Sequence, residues 1–374
     1  LLHIFENQMS KPKPLTAIQL EGFRSIRKLP ELALNSGLNV LIGGNGAGKS
    51  NFISFFQMLG AMMDPNVGLQ HYIAEKGGAD ALLFRGVETT SEIRARFKFN
   101  RNTYELVLQP ADDGRLFFGR EKASLDGISG KVSNYEHGKG HFESWLPKVG
   151  AFPAGEQFTK EALSDWRVYH FHNTSRTAAL MRSQNAVDNE RLWADAGNIA
   201  AFLLRLRKEH EDHYKRIILH IQQAAPFFGD FHLKPDNNGQ VQLLWTERYS
   251  QKLYYPHQLS DGSIRFICLA ALLLQPEPPS TIIIDEPELG LHPYAITVLA
   301  GMFRLAEEKC QLIVSTQSSP LVDHLQLQDL IVVDRVNGET TLSRPDAESL
   351  KVWMEEYSVG ELWDKNLIGG MPQP

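Results

Sequence analysis

The stretch LNVLIGGNGAGKSNF, Leu38 to Phe52, decides the fold class. Its first five residues are almost wholly apolar, the pattern of a short strand buried on both faces. Its middle, GGNGAGKS, fits G-x-x-x-x-G-K-[ST], and an apolar helical face then runs from Phe52 through Leu59. Strand, glycine-rich loop and helix in that order are the context the pattern requires. Glycines let the backbone wrap closely around a phosphate, so its N–H groups can donate to it. Gly43, Gly44, Asn45, Gly46, Ala47 and Gly48 are the expected cradle. Lys49 is expected to reach the β and γ oxygens, and Ser50 to ligate Mg2+.

A second segment completes such a site. TIIIDEPELGLHP, Thr281 to Pro293, begins as a buried strand and ends at Asp285, at the sheet edge where ligands sit in open α/β folds. Asp285 is placed to hold Mg2+, directly or through water, and Glu286 to orient or deprotonate an attacking water. A third segment, LSDGS from Leu259 to Ser263, stands before an apolar helix and offers a second phosphate-binding helix start. One chain needs only one phosphate loop. The second start is useful if two chains meet head to tail, with Ser260 and Gly262 of one facing the γ-phosphate held by the other.

These motifs resemble those of the RecF/OLD/SMC-like branch of ABC-type ATPases, short predicted AAA-family ATPases with no coiled coil or nuclease domain. IQLEGFRSI is similar to that family's N-terminal strand and turn, GGNGAGKSN to its Walker A motif, and LSDGS to its signature. DEPELGLHP is similar to its Walker B motif and D-loop, and STQSSPLVD to its switch segment. The resemblance runs from Leu15 to about Gly370.

It implies an α/β P-loop NTPase fold: an ABC-type ATPase head with two lobes and a helical arm. Residues 1–13 would be a tail or leader, lobe I about 14–170, the arm about 174–225 and lobe II about 226–374. It implies ATP and Mg2+ as ligands and a homodimer that closes around two ATP. DNA repair, DNA metabolism or anti-phage defence are the implied settings. DNA and a separate nuclease or effector are the implied partners. A non-catalytic ATP-gated scaffold is the alternative, since it needs the same motifs. Glu286, Lys49 and Gln317 are the implied catalytic residues.

By the same resemblance Gln317 senses the γ-phosphate, although a loop cap is the other reading. His292 either crosses a dimer interface or starts a helix before Pro293. Arg24 and Asn51 are candidate nucleotide-side contacts, and the region of Asn173 is the nearest counterpart of the family's Q-loop. Arg167, Arg176, Arg182 and Arg191 are either DNA contacts or ordinary surface charge.

Composition agrees with a globular protein, at 43% apolar and 22% charged residues with a formal charge of −6. That charge argues against a protein basic all over, though not against a local basic groove. Cys268 and Cys310 are too few and too far apart for a disulfide framework or a zinc site. No apolar run approaches the roughly 20 residues a membrane helix needs, so a cytoplasmic protein without a membrane partner is expected. Residues 50–259 hold no heptad array and no C-x-x-C hook, which separates the chain from chromosome-spanning relatives. One helix is expected over Asn198–Gln223, with loops and short strands across 111–165.

Overall fold

A computed structural model describes residues 14–126, 132–148 and 154–370 of the chain, so the tail expected at 1–13 lies outside the described residues. Strands β1 (Ala17–Phe23) and β2 (Ile26–Ala33) pair antiparallel. β3 (Leu38–Ile42) is buried along its whole length and leads through the glycine-rich loop into helix α1 (Lys49–Met63). β4 (Ile93–Phe99) and β5 (Asn102–Pro110) pair antiparallel across a turn at Asn100, as their alternation predicts.

The region 111–165 holds more regular structure than the expected loops and short strands. β6 (Leu116–Asp126) and β7 (Val132–His137) extend one antiparallel sheet to the order β2-β1-β4-β5-β6-β7, and α2 (Ala154–Ser164) packs on it. Two features hide β6 in the sequence. A bulge beside Gly119 breaks the period of two, and an acid, Glu121, points inward. Glu121 is fully buried and accepts hydrogen bonds from Tyr104 Oη at 2.8 Å and Trp145 N at 3.2 Å, with the His141 ring at 2.8 Å. Those partners lie on other segments, so no local window shows that the acid is satisfied.

β8 (Trp166–Tyr169) follows, then the short β9 (Gln184–Asn185). The single helix expected over 198–223 is two, α3 (Ile199–Glu209) and α4 (Glu211–Ala224), separated at His210. Arg207 and Lys208 sit in the last turn of α3, and Glu211 and Asp212 in the first turn of α4. Each group complements the dipole at its own helix end, so the charged run stabilises a break rather than a continuous helix. The apolar face survives the break, and both helices reach the same core.

β10 (Phe228–His232), β12 (Leu244–Glu247) and β13 (Leu253–Tyr254) form a small sheet, while β11 (Gln240–Val241) pairs with β9. The chain then runs through α5 (Asp261–Leu273), β14 (Thr281–Asp285), α6 (Pro293–Glu307), β15 (Gln311–Thr316), β16 (Leu330–Val336) and β17 (Glu339–Ser343). The second large sheet has the order β17-β16-β3-β15-β14-β8 and is parallel except for the β16–β17 hairpin.

That sheet separates two cores. Ile282, Ile284, Leu312 and Val314 face a core shared with α3 to α6. Ile283, Ile313 and Ile331 face the core of α1 and the antiparallel sheet. Burial on both faces is why TIIID and QLIVST read as unbroken apolar runs. The result is an α/β P-loop fold with two lobes.

Candidate nucleotide site

Register brings the motifs together. Ile42 of β3 stands opposite Thr316 of β15, and Ser315 stands opposite Asp285 of β14. Gly43, Glu286 and Gln317 therefore leave the sheet at one carboxyl edge, where open parallel sheets place ligands.

The glycine-rich loop is braced from outside. Thr340 Oγ1 donates to Ala47 O at 2.7 Å, and Arg335 donates to Gly46 O at 3.2 Å. Gly44 N donates to Gly370 O at 2.7 Å, and Gly370 N in turn donates to Asp334 Oδ1 at 2.9 Å. Sequence reasoning missed this clamp, because β16, β17 and Gly370 lie some three hundred residues further along the chain. The backbone N–H groups of Asn45, Gly46 and Gly48 have no acceptor among the described residues. Gly48, which caps α1 at φ 115°, is irreplaceable on steric grounds: a Cβ there would stand 2.1 Å from Thr340 Oγ1.

Lys49 is only 5% exposed and donates to Gly43 O at 2.6 Å and Gly44 O at 3.1 Å. Burial holds its pKa below the ordinary lysine value, against the opposing pull of Glu286, Asp285 and Glu288. Ser50 lies in the first turn of α1 beside it. The Asn51 side chain goes elsewhere: it donates to Ser25 Oγ at 2.6 Å, and the Ser25 hydroxyl lies 2.8 Å from Thr340 Oγ1, which can accept from it. Its amide thus ties α1 to the β1–β2 turn. Arg24 sits in that turn with φ 48° and its guanidinium 5.7 Å from the Phe23 ring centroid.

On the opposite wall, Asp285 Oδ1 accepts from Ser315 Oγ, and Glu286 Oε1 accepts from Gln317 Nε2. Glu286 has φ 47°, in the left-handed region. A non-glycine residue there costs on the order of 1 kcal/mol and persists where its surroundings over-determine it. Here Glu286 N is fixed on Ser315 O at 3.0 Å while the side chain is fixed on Gln317.

Glu288 is a third acid that sequence reasoning passed over. Its Oε1 accepts from Thr316 Oγ1 at 2.6 Å and Gln317 N at 3.2 Å, while its buried Oε2 has no partner among the described residues. Burial raises its pKa, with Thr316 pulling the other way. The signal was present as an acid directly after Pro287, two residues past Glu286. Two histidines after β8 also reach this edge. His172 donates to Asp285 O at 3.1 Å, and the His170 ring accepts from the Gln57 amide at 2.6 Å. Asn173 instead accepts from Ser175 Oγ at 2.7 Å and closes a local turn.

The second helix start lies apart from this loop. Ser260 caps α5 and accepts from Ser263 N at 3.1 Å. Gly262 allows a close approach, since a Cβ there would stand 2.2 Å from Gly290 O. Ser260, Gly262 and His292 line one small cleft, which contains no residue of the glycine-rich loop. His292 Nδ1 accepts from Tyr294 N at 3.2 Å, so its ring starts α6.

The residues present fit a nucleotide with Mg2+. A Cβ on Gly46 would meet nothing within 4 Å, so that side of the loop is open. A lysine resting on its own loop carbonyls has donors to offer a phosphate. No three acidic, cysteine or histidine side chains form a cation cage among the described residues. Mg2+ requires none, because it is usually held by one or two carboxylates together with phosphate oxygens and water.

Residues 38–323 match the family model described as AAA domain, putative AbiEii toxin, Type IV TA system. The fold is similar to the SmcHead bound to the C-winged helix domain of ScpA, with TM-score 0.59 and 13% identity over 90% of this chain and 99% of that one. It is also similar to the Smc head domain with an extended coiled coil bound to the C-terminal domain of ScpA derived from Pyrococcus furiosus. There the TM-score is 0.54 and the identity 13%, over 92% of this chain and 99% of that one. No curated protein matches the sequence.

Proposed function

The chain belongs to the family described as AAA domain, putative AbiEii toxin, Type IV TA system, and has the fold of an SMC-type ATPase head; from that premise we propose that it hydrolyses ATP at a site closed by a second copy of itself. The observation that carries the reading is the pairing of Asp285 with Ser315 and of Glu286 with Gln317 across two neighbouring strands, in a site whose charges act on Lys49.

In this reading Lys49 leaves the carbonyls of Gly43 and Gly44 for the phosphate oxygens. The free N–H groups of Asn45, Gly46 and Gly48 donate to the same phosphates. Ser50 and Asp285 would hold Mg2+, which when bound neutralises phosphate charge. Glu286 orients the attacking water and accepts its proton. Gln317, bonded to Glu286 and in contact with Glu288 through its backbone, reports the γ-phosphate by moving between partners. It can donate and accept but carries no titratable proton.

The second copy would supply Ser260, Gly262 and the positive start of α5. Support for this is the separation of their cleft from the glycine-rich loop within one chain. The proposed setting is DNA metabolism or defence against foreign DNA, with a separate nuclease or effector as partner. No helix among the described residues is long and apolar enough to cross a membrane.

The test is steady-state phosphate release. The parent turns over, and Glu286→Gln lowers the rate about 100-fold or more while MgATP affinity is kept. Stoichiometric ATP binding by the parent without sustained release would replace the enzyme by an ATP-gated switch.

A further inference from the structure

A second cavity, of about 680 Å3, lies along the flank of α1 towards its C-terminal end. It opens beside β8, the edge strand of its sheet. Lys76, Arg167 and Arg191 line it, against a single acid, Asp64. The sequence left Arg167 and Arg191 divided between surface charge and DNA contacts; the fold brings both to one concave site, and Arg176 and Arg182 are not part of it.

We propose that this cavity binds a phosphate-bearing ligand of nucleotide size, separate from the ATP of the glycine-rich loop. The volume is that of a small-molecule site. Arg167 is preset, because its Nη1 donates to Ser164 O at 2.6 Å and Trp166 O at 2.8 Å. Its other N–H groups have no partner among the described residues, leaving them to a planar anion. Arg191 is exposed and its side chain has no acidic partner among the described residues. Lys76 has the exposed Glu75 as its acidic partner among the described residues, at 2.8 Å, and lies 5.5 Å from the Tyr72 ring centroid. Asp64 is engaged in its own turn, accepting from Asn66 N at 2.9 Å.

The rest of the wall suits a ring. Met63, Leu163 and Val168 give it an apolar side, and Gln57 and His170 supply polar groups. Trp166 is 3% exposed and lines the cavity. A half-apolar concavity favours a compact ligand over a nucleic-acid backbone, which is usually tracked by cations along an extended groove.

The probe is AMP, titrated calorimetrically into the Lys49→Ala chain and into the parent. One saturable AMP site is expected in both, displaced by inorganic phosphate and at least about tenfold tighter for AMP than for phosphate. Arg167→Ala with Arg191→Ala weakens AMP about tenfold or more and leaves the parent's MgATP affinity unchanged. Arg191→Ala alone, at an exposed side chain, shifts it in the same direction. The proposal is overturned by absence of saturable AMP binding, by affinity indifferent to both arginines, or by AMP binding no tighter than phosphate. It is equally overturned by a site that takes a single-stranded oligodeoxynucleotide and not AMP. MgATP binding by Lys49→Ala is read separately, so this site stands or falls apart from the phosphate-loop reading.

Discussion

Lys49 rests on two carbonyls of its own loop, under the influence of three carboxylates. Its proposed contact with phosphate exists already in the ground state, so its removal lowers binding together with rate. Lys49→Ala is expected to weaken MgATP about 100-fold, read by calorimetry or a fluorescent nucleotide; parent-like affinity would contradict the assignment. Glu288 gives a separate prediction at this scale. Burial raises its folded pKa above the unfolded one, so the fold disfavours its charged form. Below the ordinary carboxylate range both states are protonated and no cost appears. As pH rises through the unfolded and then the folded pKa, the cost appears and stability falls. Glu288→Gln removes that titration. Its denaturation midpoint should gain on the parent's as pH rises from the ordinary carboxylate range, and a difference constant with pH would count against a buried carboxylate with a raised pKa.

Among the elements, the β16–β17 hairpin does the bracing, through Arg335 and Thr340. Gly48→Ala places a methyl against Thr340 in a backbone conformation that disfavours side chains. A loss of about 2 kcal/mol or more is expected in chemical denaturation, partly recovered by adding Thr340→Ala. Parent-like stability would show that the hairpin yields. How much of this was legible follows from where the determinants lie. The strand, loop and helix around Lys49 are contiguous, as are Thr281–Glu286, and short windows suffice for both. β6 was hidden by a bulge and by Glu121, whose partners are remote in sequence. The break at His210 was hidden because apolar spacing persists across it. The clamp on the loop, the role of Glu288 and the side-chain direction of Asn51 depend on contacts between distant segments, which no local pattern records.

For the whole molecule, two cores share one sheet, and that sheet fixes the glycine-rich loop at one edge while α5 starts in a different cleft. The proposed hydrolysis therefore needs two chains to complete one site. Ser260→Arg puts a cation at the positive start of α5, where it opposes the helix dipole and fills the expected place of the partner's γ-phosphate. It leaves Lys49, Ser50 and Asp285 untouched, so a single chain should bind MgATP as the parent does while hydrolysis is lost. Lys49→Ala chains are inactive for the opposite reason. The direct test is to titrate one inactive variant into the other and follow phosphate release. A heterodimer carries one site with an intact loop facing an intact signature, so activity should reappear and peak near equal amounts. Mixtures that stay inactive at every ratio, together with loss of MgATP binding by Ser260→Arg alone, would place that segment in its own chain's pocket and contradict the shared site.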